Sequence, residues 1–266
     1  MDWSSATAAD TGCYSTPGHP RYECVAHLGR GEPRTCPGFV AAPLDTLVAD
    51  QVLRVLTPAG IDLGFRAAED RVVKVRGVAP SCQRFIEGSG FVVSPDHVLT
   101  NAHVVAGVTQ QQTVTTVAGR KLRALVVFYD SQVDVAVLYV PGLNLTPLRF
   151  AGQANPGDNA VVAGFPLDAQ TLHAAPARIG GIQNAQGPNI YQTSTVTRQI
   201  YEIRAIVESG NSGGPLLSPD GTVDGVVFAA AVGVSDTGFA LTAAQVADDA
   251  RQGENSTAAV STMGCD

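Results

Sequence analysis

Short apolar runs, rich in valine, recur along the chain at 72–75, 90–93, 122–128, 135–140, 160–163, 203–207 and 223–228. Each is bounded by Gly, Pro, Asn or Asp, and β-branched residues of this kind suit a pleated, half-buried surface. Turn signals such as Pro156-Gly157-Asp158-Asn159 and Pro219-Asp220-Gly221 stand between them. Helical periodicity is sparse, and the pattern predicts one short closing helix over 241–251 and a second amphipathic one over 44–56. The segment 71–250 therefore reads as all-β. No run of eighteen apolar residues occurs, so no membrane span is predicted.

Outside that segment the pattern fades. Residues 1–70 are rich in Pro, Gly, Thr and Arg, and they read as a largely irregular N-terminal segment. Residues 251–266 form a tail that carries Cys265. Cys13, Cys24 and Cys36, with His19 and His27, have no Cys-x-x-Cys pair and wide spacing. They are not read as a metal site, since three cysteines also fit one disulfide plus a spare. Over the 266 residues, 45% are hydrophobic and 15% charged, with a formal charge of −7. That balance suits a compact β core and disfavours nucleic-acid binding or docking to anionic lipid. No nucleotide loop or cofactor motif appears, so no cofactor is expected.

The chemistry concentrates in Gly210-Asn211-Ser212-Gly213-Gly214-Pro215. A serine hydroxyl sits there on a glycine-rich turn whose backbone amides are free to face a carbonyl. A serine is a poor nucleophile until a base takes its proton and a third group orients that base. His103 follows an apolar run in Val98-Leu99-Thr100-Asn101-Ala102-His103-Val104-Val105, and is the candidate base. Asp134, at the mouth of Val135-Ala136-Val137-Leu138, is preferred as the orienting acid over Asp130, which reads as a turn residue. His19, His27, His97 and His173 read as surface or loop residues. The amides of Gly210 and Ser212 are the candidate oxyanion donors. Residues 210–214 also match the Gly-x-Ser-x-Gly elbow of α/β-hydrolases, but no helix pattern follows Ser212 and His103 lies upstream of it.

The order His103, Asp134, Ser212 is that of the chymotrypsin-like fold, and the segment from Arg71 to Val246 resembles a trypsin-like bacterial serine protease. Thr100-Asn101-Ala102-His103-Val104-Val105 and Gly210-Asn211-Ser212-Gly213-Gly214-Pro215 are also motifs of HtrA-like proteases. A closer resemblance is to the actinobacterial acid-resistance periplasmic (MarP-type) serine proteases. It rests on Val73-Lys74-Val75-Arg76-Gly77-Val78-Ala79-Pro80-Ser81-Cys82, Tyr201-Glu202-Ile203-Arg204, Thr237-Gly238-Phe239-Ala240-Leu241-Thr242 and Cys265. No PDZ-sized segment follows the barrels, unlike a full HtrA-like chain.

The resemblance implies a double six-stranded β-barrel of chymotrypsin type and a serine endopeptidase acting on extracytoplasmic, cell-envelope protein or peptide substrates. A catalytically silent double-barrel binding module is the alternative. It also implies a Cys82–Cys265 disulfide, an oxidising compartment, and a specificity wall at Val226, Val227 and Phe228 suited to a small or medium apolar P1 residue. Glu208 leaves a basic preference open. Asn211 departs from the acid expected before the nucleophile in MarP-type sequences. A neutral amide cannot pair with a newly cut N-terminus, so the loop is expected to be preformed or ordered by other contacts. A monomer is expected. MarP-type relatives are membrane-anchored by helices ahead of the protease domain. This chain shows neither those nor a signal-peptide pattern, and is read as a fragment or a misplaced start in preference to a protein secreted by another route.

Overall fold

The computed structural model describes residues 13–16, 19–26, 34–35, 39–40 and 59–265, apart from residue 235. The chain divides into two compact units, Met1–Thr57 and Pro58–Asp266. In the first, β2 (His19–Ala26) pairs antiparallel with β1 (Cys13–Thr16), β3 (Arg34–Thr35) and β4 (Phe39–Val40). A small sheet thus stands where irregular chain was expected, and the backbone of Cys13 lies opposite that of Cys24. The helix predicted over 44–56, His27 and Cys36 lie outside the described residues.

The second unit begins before the expected boundary at 71. Helix α1 (Ala59–Ala68) belongs to it, because Phe65 and Ala68 pack on its hydrophobic core. Gly64 fits against the 219–221 turn with no room for a side chain: a Cβ there would sit 2.2 Å from the Pro219 carbonyl oxygen.

Seven strands follow: β5 (Val72–Ala79), β6 (Arg84–Ser94), β7 (His97–Thr100), β8 (Gln110–Thr116), β9 (Lys121–Arg123), β10 (Leu125–Asp130) and β11 (Val135–Tyr139). They lie in the antiparallel order β10-β11-β7-β6-β5-β8-β9. The edges of this sheet, β9 and β10, are consecutive in the chain and meet at Ala124, so the sheet curls until a single bent segment closes it. That bend divides the 122–128 run, which the sequence presents as one strand.

The second barrel is closed in the order β12-β13-β14-β17-β16-β15. It comprises β12 (Asn159–Gly164), β13 (His173–Pro188), β14 (Thr195–Arg204), β15 (Pro215–Leu217), β16 (Val223–Ala230) and β17 (Thr237–Thr242). Helix α2 (Ala243–Gly253) follows, capped by Thr242, whose hydroxyl accepts from the Gln245 amide at 3.1 Å. The predicted 241–251 helix starts two residues later because Leu241 and Thr242 complete β17.

Three apolar clusters hold the unit together. One fills the first barrel around Val73, Val92 and Leu138; another fills the second around Val162, Ile179 and Leu216. The third joins the barrels, with Phe91 and Leu99 from one, Leu217 and Leu241 from the other, and Val246 and Ala250 of α2. Cys82 and Cys265 form a disulfide, their Cα atoms 6.4 Å apart across 183 residues of chain. His97, expected at the surface, is buried. The tail beyond α2 covers it, and its ring nitrogens meet Ser94 Oγ at 2.8 Å and the Ser256 carbonyl at 2.7 Å.

Candidate active site

The turn after β7 carries His103 and the turn after β10 carries Asp134; because β7 and β11 pair, the two turns lie side by side. Asp134 Oδ2 lies 2.8 Å from His103 Nδ1, and Asp134 Oδ1 accepts the His103 backbone N–H at 2.9 Å. One carboxylate therefore fixes both ring and backbone of the same histidine. Asn101 donates to the Asp134 carbonyl at 2.8 Å. Asp134 is buried and has a left-handed backbone (φ 73°), a conformation unfavourable for a side-chain-bearing residue and one that surrounding structure must hold. Asp130 instead accepts the amides of Gln132 and Val133, which makes it the turn residue its spacing suggests.

Ser212 lies between β14 and β15 on a turn in which each carbonyl from Glu208 to Ser212 accepts a hydrogen bond. Asn211 N–H bonds to Glu208 O (3.0 Å), and Gly210 takes φ +95°, where a Cβ would collide with the Phe165 carbonyl at 2.5 Å. The Ser209 carbonyl accepts from Leu167 N–H at 2.7 Å and the Asn211 carbonyl from Gly214 N–H at 2.9 Å. Since trans peptides hold N–H and C=O antiparallel, the amides of Gly210 and Ser212 point away from those partners. Among the described residues neither amide has a hydrogen-bond acceptor.

Ser89, which the sequence does not single out, is the hub of this arrangement. Fully buried on β6, it donates its hydroxyl to the Gly210 carbonyl (2.7 Å) and accepts the Phe165 amide (2.8 Å). Its backbone N–H holds the Ser212 carbonyl at 2.8 Å, and its own carbonyl accepts from Thr100 Oγ1 at 2.7 Å. The small-residue run Gly88-Ser89-Gly90 is its only trace in the sequence. A Cβ on Gly88 would lie 2.5 Å from the Val104 side chain and 3.1 Å from the Ser212 carbonyl. The loop around Asn211 is thus ordered by contacts with β6 and the Phe165–Leu167 segment. The Asn211 side chain is buried and its Oδ1 has no partner among the described residues.

The proposed pocket residues separate. Val226 and Val227 are fully buried in the hydrophobic clusters, so only the Val227 backbone meets the nucleophile turn, through Gly213 N–H and Gly214 O. A bulge between Val227 and Ala229 brings the half-buried Phe228 out beside Phe239. Ile206 and Val207, just before the turn, are more accessible, and Val207 packs where a side chain on Gly238 would be. No grouping of His, Cys, Asp or Glu that could hold a metal ion occurs among the described residues.

Comparison with known proteins places the chain in a family. The chain matches the trypsin-like peptidase domain over residues 88–226, more than half its length. It is 52% identical over 184 residues to serine protease Rv3671c of Mycobacterium tuberculosis, covering 68% of this chain and 45% of that protein. A probable periplasmic DegP-like serine endoprotease of Chlamydia pneumoniae is 33% identical over 168 residues, covering 61% of this chain and 33% of that one. The crystal structure of the active form of Rv3671c protease superposes with a TM-score of 0.74 at 46% identity, covering 79% of this chain and 92% of that one. The chain thus spans less than half the length of the mycobacterial relative.

Proposed function

This chain belongs to the trypsin-like peptidase domain family, a MarP-type member with HtrA-like and DegP-like relatives, and from that premise we propose that it is a serine endopeptidase. The observation that carries the reading is the two-point grip of Asp134 on His103, beside a turn that leaves two amides around Ser212 without acceptors. His103 takes the Ser212 hydroxyl proton as Oγ bonds to the scissile carbonyl carbon. Asp134 holds the tautomer with Nδ1 protonated and stabilises the imidazolium that forms. The negative oxygen of the tetrahedral intermediate accepts from the amides of Gly210 and Ser212, each such donor lowering the barrier by about 3 kcal/mol. Collapse breaks the C–N bond, His103 returns the proton to the leaving amine, and water then hydrolyses the acyl-enzyme by the same route.

A small or medium apolar P1 side chain is accommodated by the surface beside the turn, where Ile206 is exposed and Val207 and Phe228 are half-buried, while the Val227 backbone forms the wall. The substrates are extracytoplasmic proteins. The Cys82–Cys265 disulfide supports this compartment, since such bonds persist where conditions are oxidising, and so does the periplasmic relative. Among the described residues no helix is long and apolar enough to cross a membrane.

A fluorophosphonate probe followed by mass spectrometry tests the assignment. Labelling of Ser212 that disappears in His103→Ala and in Asp134→Asn is the expected result. Absence of labelling in folded, oxidised wild-type protein would favour the silent binding module instead.

A further inference from the structure

The closed barrel has two mouths. Gly164, at the end of β12, and Pro215, at the start of β15, lie at the mouth beside Ser212. The opposite mouth is framed by the start of β12, the β15–β16 turn and the start of β16, and it opens into a cavity of about 600 Å³. Asp158, Asn159, Ser218, Asp220, Thr222 and Asp224 line it, and no lining residue is basic. Asp224 is only 4% exposed, its carboxyl reaches the cavity, and it has neither a hydrogen bond nor an ion pair among the described residues.

Such a group is costly to bury unless something pairs with it. Burial, with the charges of Asp220 and Asp158 nearby, pushes the Asp224 carboxyl up to about 7. Asp220 behaves oppositely. The Thr222 and Ser218 hydroxyls and the Thr222 amide bond to its Oδ1 and draw it down to about 2, so it stays anionic at the rim. Asp158 accepts the Asn155 amide through Oδ2. Tyr201, inside the barrel, spends its phenol oxygen on the Ala154 amide, and its O–H feels the charge of Asp224. Arg178 stands opposite Asn159 across β12 and β13, with its guanidinium beside Gly157 at the edge of this mouth, but it does not line the cavity.

We propose that this mouth is a binding site for an organic cation, the ammonium or guanidinium head of a small amine or of a basic side chain, with Asp224 as the buried counter-ion and Asp220 and Asp158 at the rim. A metal ion fits less well, because these carboxylates do not converge into a metal-holding group. The volume lies within the usual range for ligand sites, and barrel mouths are one of their habitual places. A head group with hydrogen-bond donors supplies what the Asp224 carboxylate lacks, while bare alkyl stems can lie along Ala151 and Ala154. The site stands apart from Ser212 and does not depend on its chemistry.

The test is a carbon-13 NMR titration of the Asp224 carboxyl, assigned by its loss in Asp224→Asn. Agmatine should move the midpoint acidward by about 1–3 pH units, as an opposite charge at contact distance does. Its affinity should accordingly be at least about 10-fold weaker at pH 5 than at pH 8. Asp224→Asn should abolish the thermal stabilisation by agmatine, and Asp220→Asn, an exposed change, should weaken it without loss of fold. A shift with agmatine alone assigns the site to small amines; an equal shift with acetyl-Gly-Arg-Gly-amide assigns it to basic side chains. An unmoved midpoint at millimolar agmatine overturns the proposal. So does an equal shift with sodium chloride at matched ionic strength, or one of the same size with calcium.

Discussion

At the scale of single residues, Ser89 decides whether the nucleophile turn holds its shape. Its hydroxyl satisfies two buried backbone groups from different segments, Gly210 O and Phe165 N–H, so removing it orphans both at once. Each buried orphan costs about 1–3 kcal/mol, and the Gly210 carbonyl belongs to the peptide next to the proposed oxyanion donor. Ser89→Ala should therefore lower kcat about 10–100-fold, since 1.36 kcal/mol is tenfold in rate, while KM changes little. Steady-state kinetics on a peptide substrate check this; a loss confined to KM would mean that Ser89 shapes binding instead. Ser212 and His103 stood out as candidates in the sequence because the chemistry proposed for them demands rare neighbours: a glycine, here at φ +95°, before the serine, and a tight small-residue turn around the histidine. Ser89 was not legible, because a buried serine among glycines in a strand looks the same whether it clamps a distant loop or merely fits. Asp134 was distinguishable from Asp130 by its place against an apolar strand. Its strained backbone had no sequence signal, nor did the isolation of Asp224.

At the scale of elements, the β13–β14 hairpin is longer than the barrel requires. β12 pairs with β13 only over 173–178 and β17 with β14 only over 200–204, so the rest runs on as a two-stranded arm. That arm reaches the turn that carries Asp134. Arg198 Nε donates to the Gln132 carbonyl at 2.8 Å, Ser194 Oγ to Gln132 Oε1 at 2.8 Å, and Ile190 N–H to the Ser131 carbonyl at 3.3 Å. Burial draws the Arg198 guanidinium down from its usual range, while the charges of Asp134 and Asp130 oppose that shift. Arg198→Met removes a tether and a compensating charge without emptying the space. It should reduce kcat about 2–30-fold, matching the 0.5–2 kcal/mol by which a packed network commonly couples two sites. Hydrogen exchange at 130–135 should rise in the same variant, and unchanged exchange would show that the arm does not hold the turn. Periodicity located most barrel strands, yet it did not reveal the bend at Ala124, which depends on pairing with a distant strand. Nor did it reveal α1, whose glycines at 60 and 64 weaken a helical reading that contact with the core restores.

At the scale of the molecule, the disulfide and the buried carboxyls act on stability in separable ways. Cys82–Cys265 closes 183 residues, and Gly107, four residues beyond His103, donates its N–H to the Thr262 carbonyl of the same tail at 3.2 Å. Cys82→Ser should cost about 2–5 kcal/mol and lower Tm by about 5–15 °C, a loss that reducing agent reproduces in the wild type and not in the variant. Asp224 and Asp249 give a pH dependence of definite sign. Burial raises Asp224 to about 7 and Asp249 to about 6, and one Asp249 oxygen is buried without a partner among the described residues. Between the ordinary aspartate value near 4 and these raised values, the folded chain holds protons that the unfolded chain has released. Their contribution to stability is therefore unpenalised below about pH 4, declines as pH rises towards 6 and 7, and stays flat above. Asp224→Asn keeps the neutral shape and removes the ionisation. It should gain stability relative to wild type at pH 8 and much less at pH 5, read as the difference in urea midpoints at the two values. An equal difference at both would mean that Asp224 is ionised throughout.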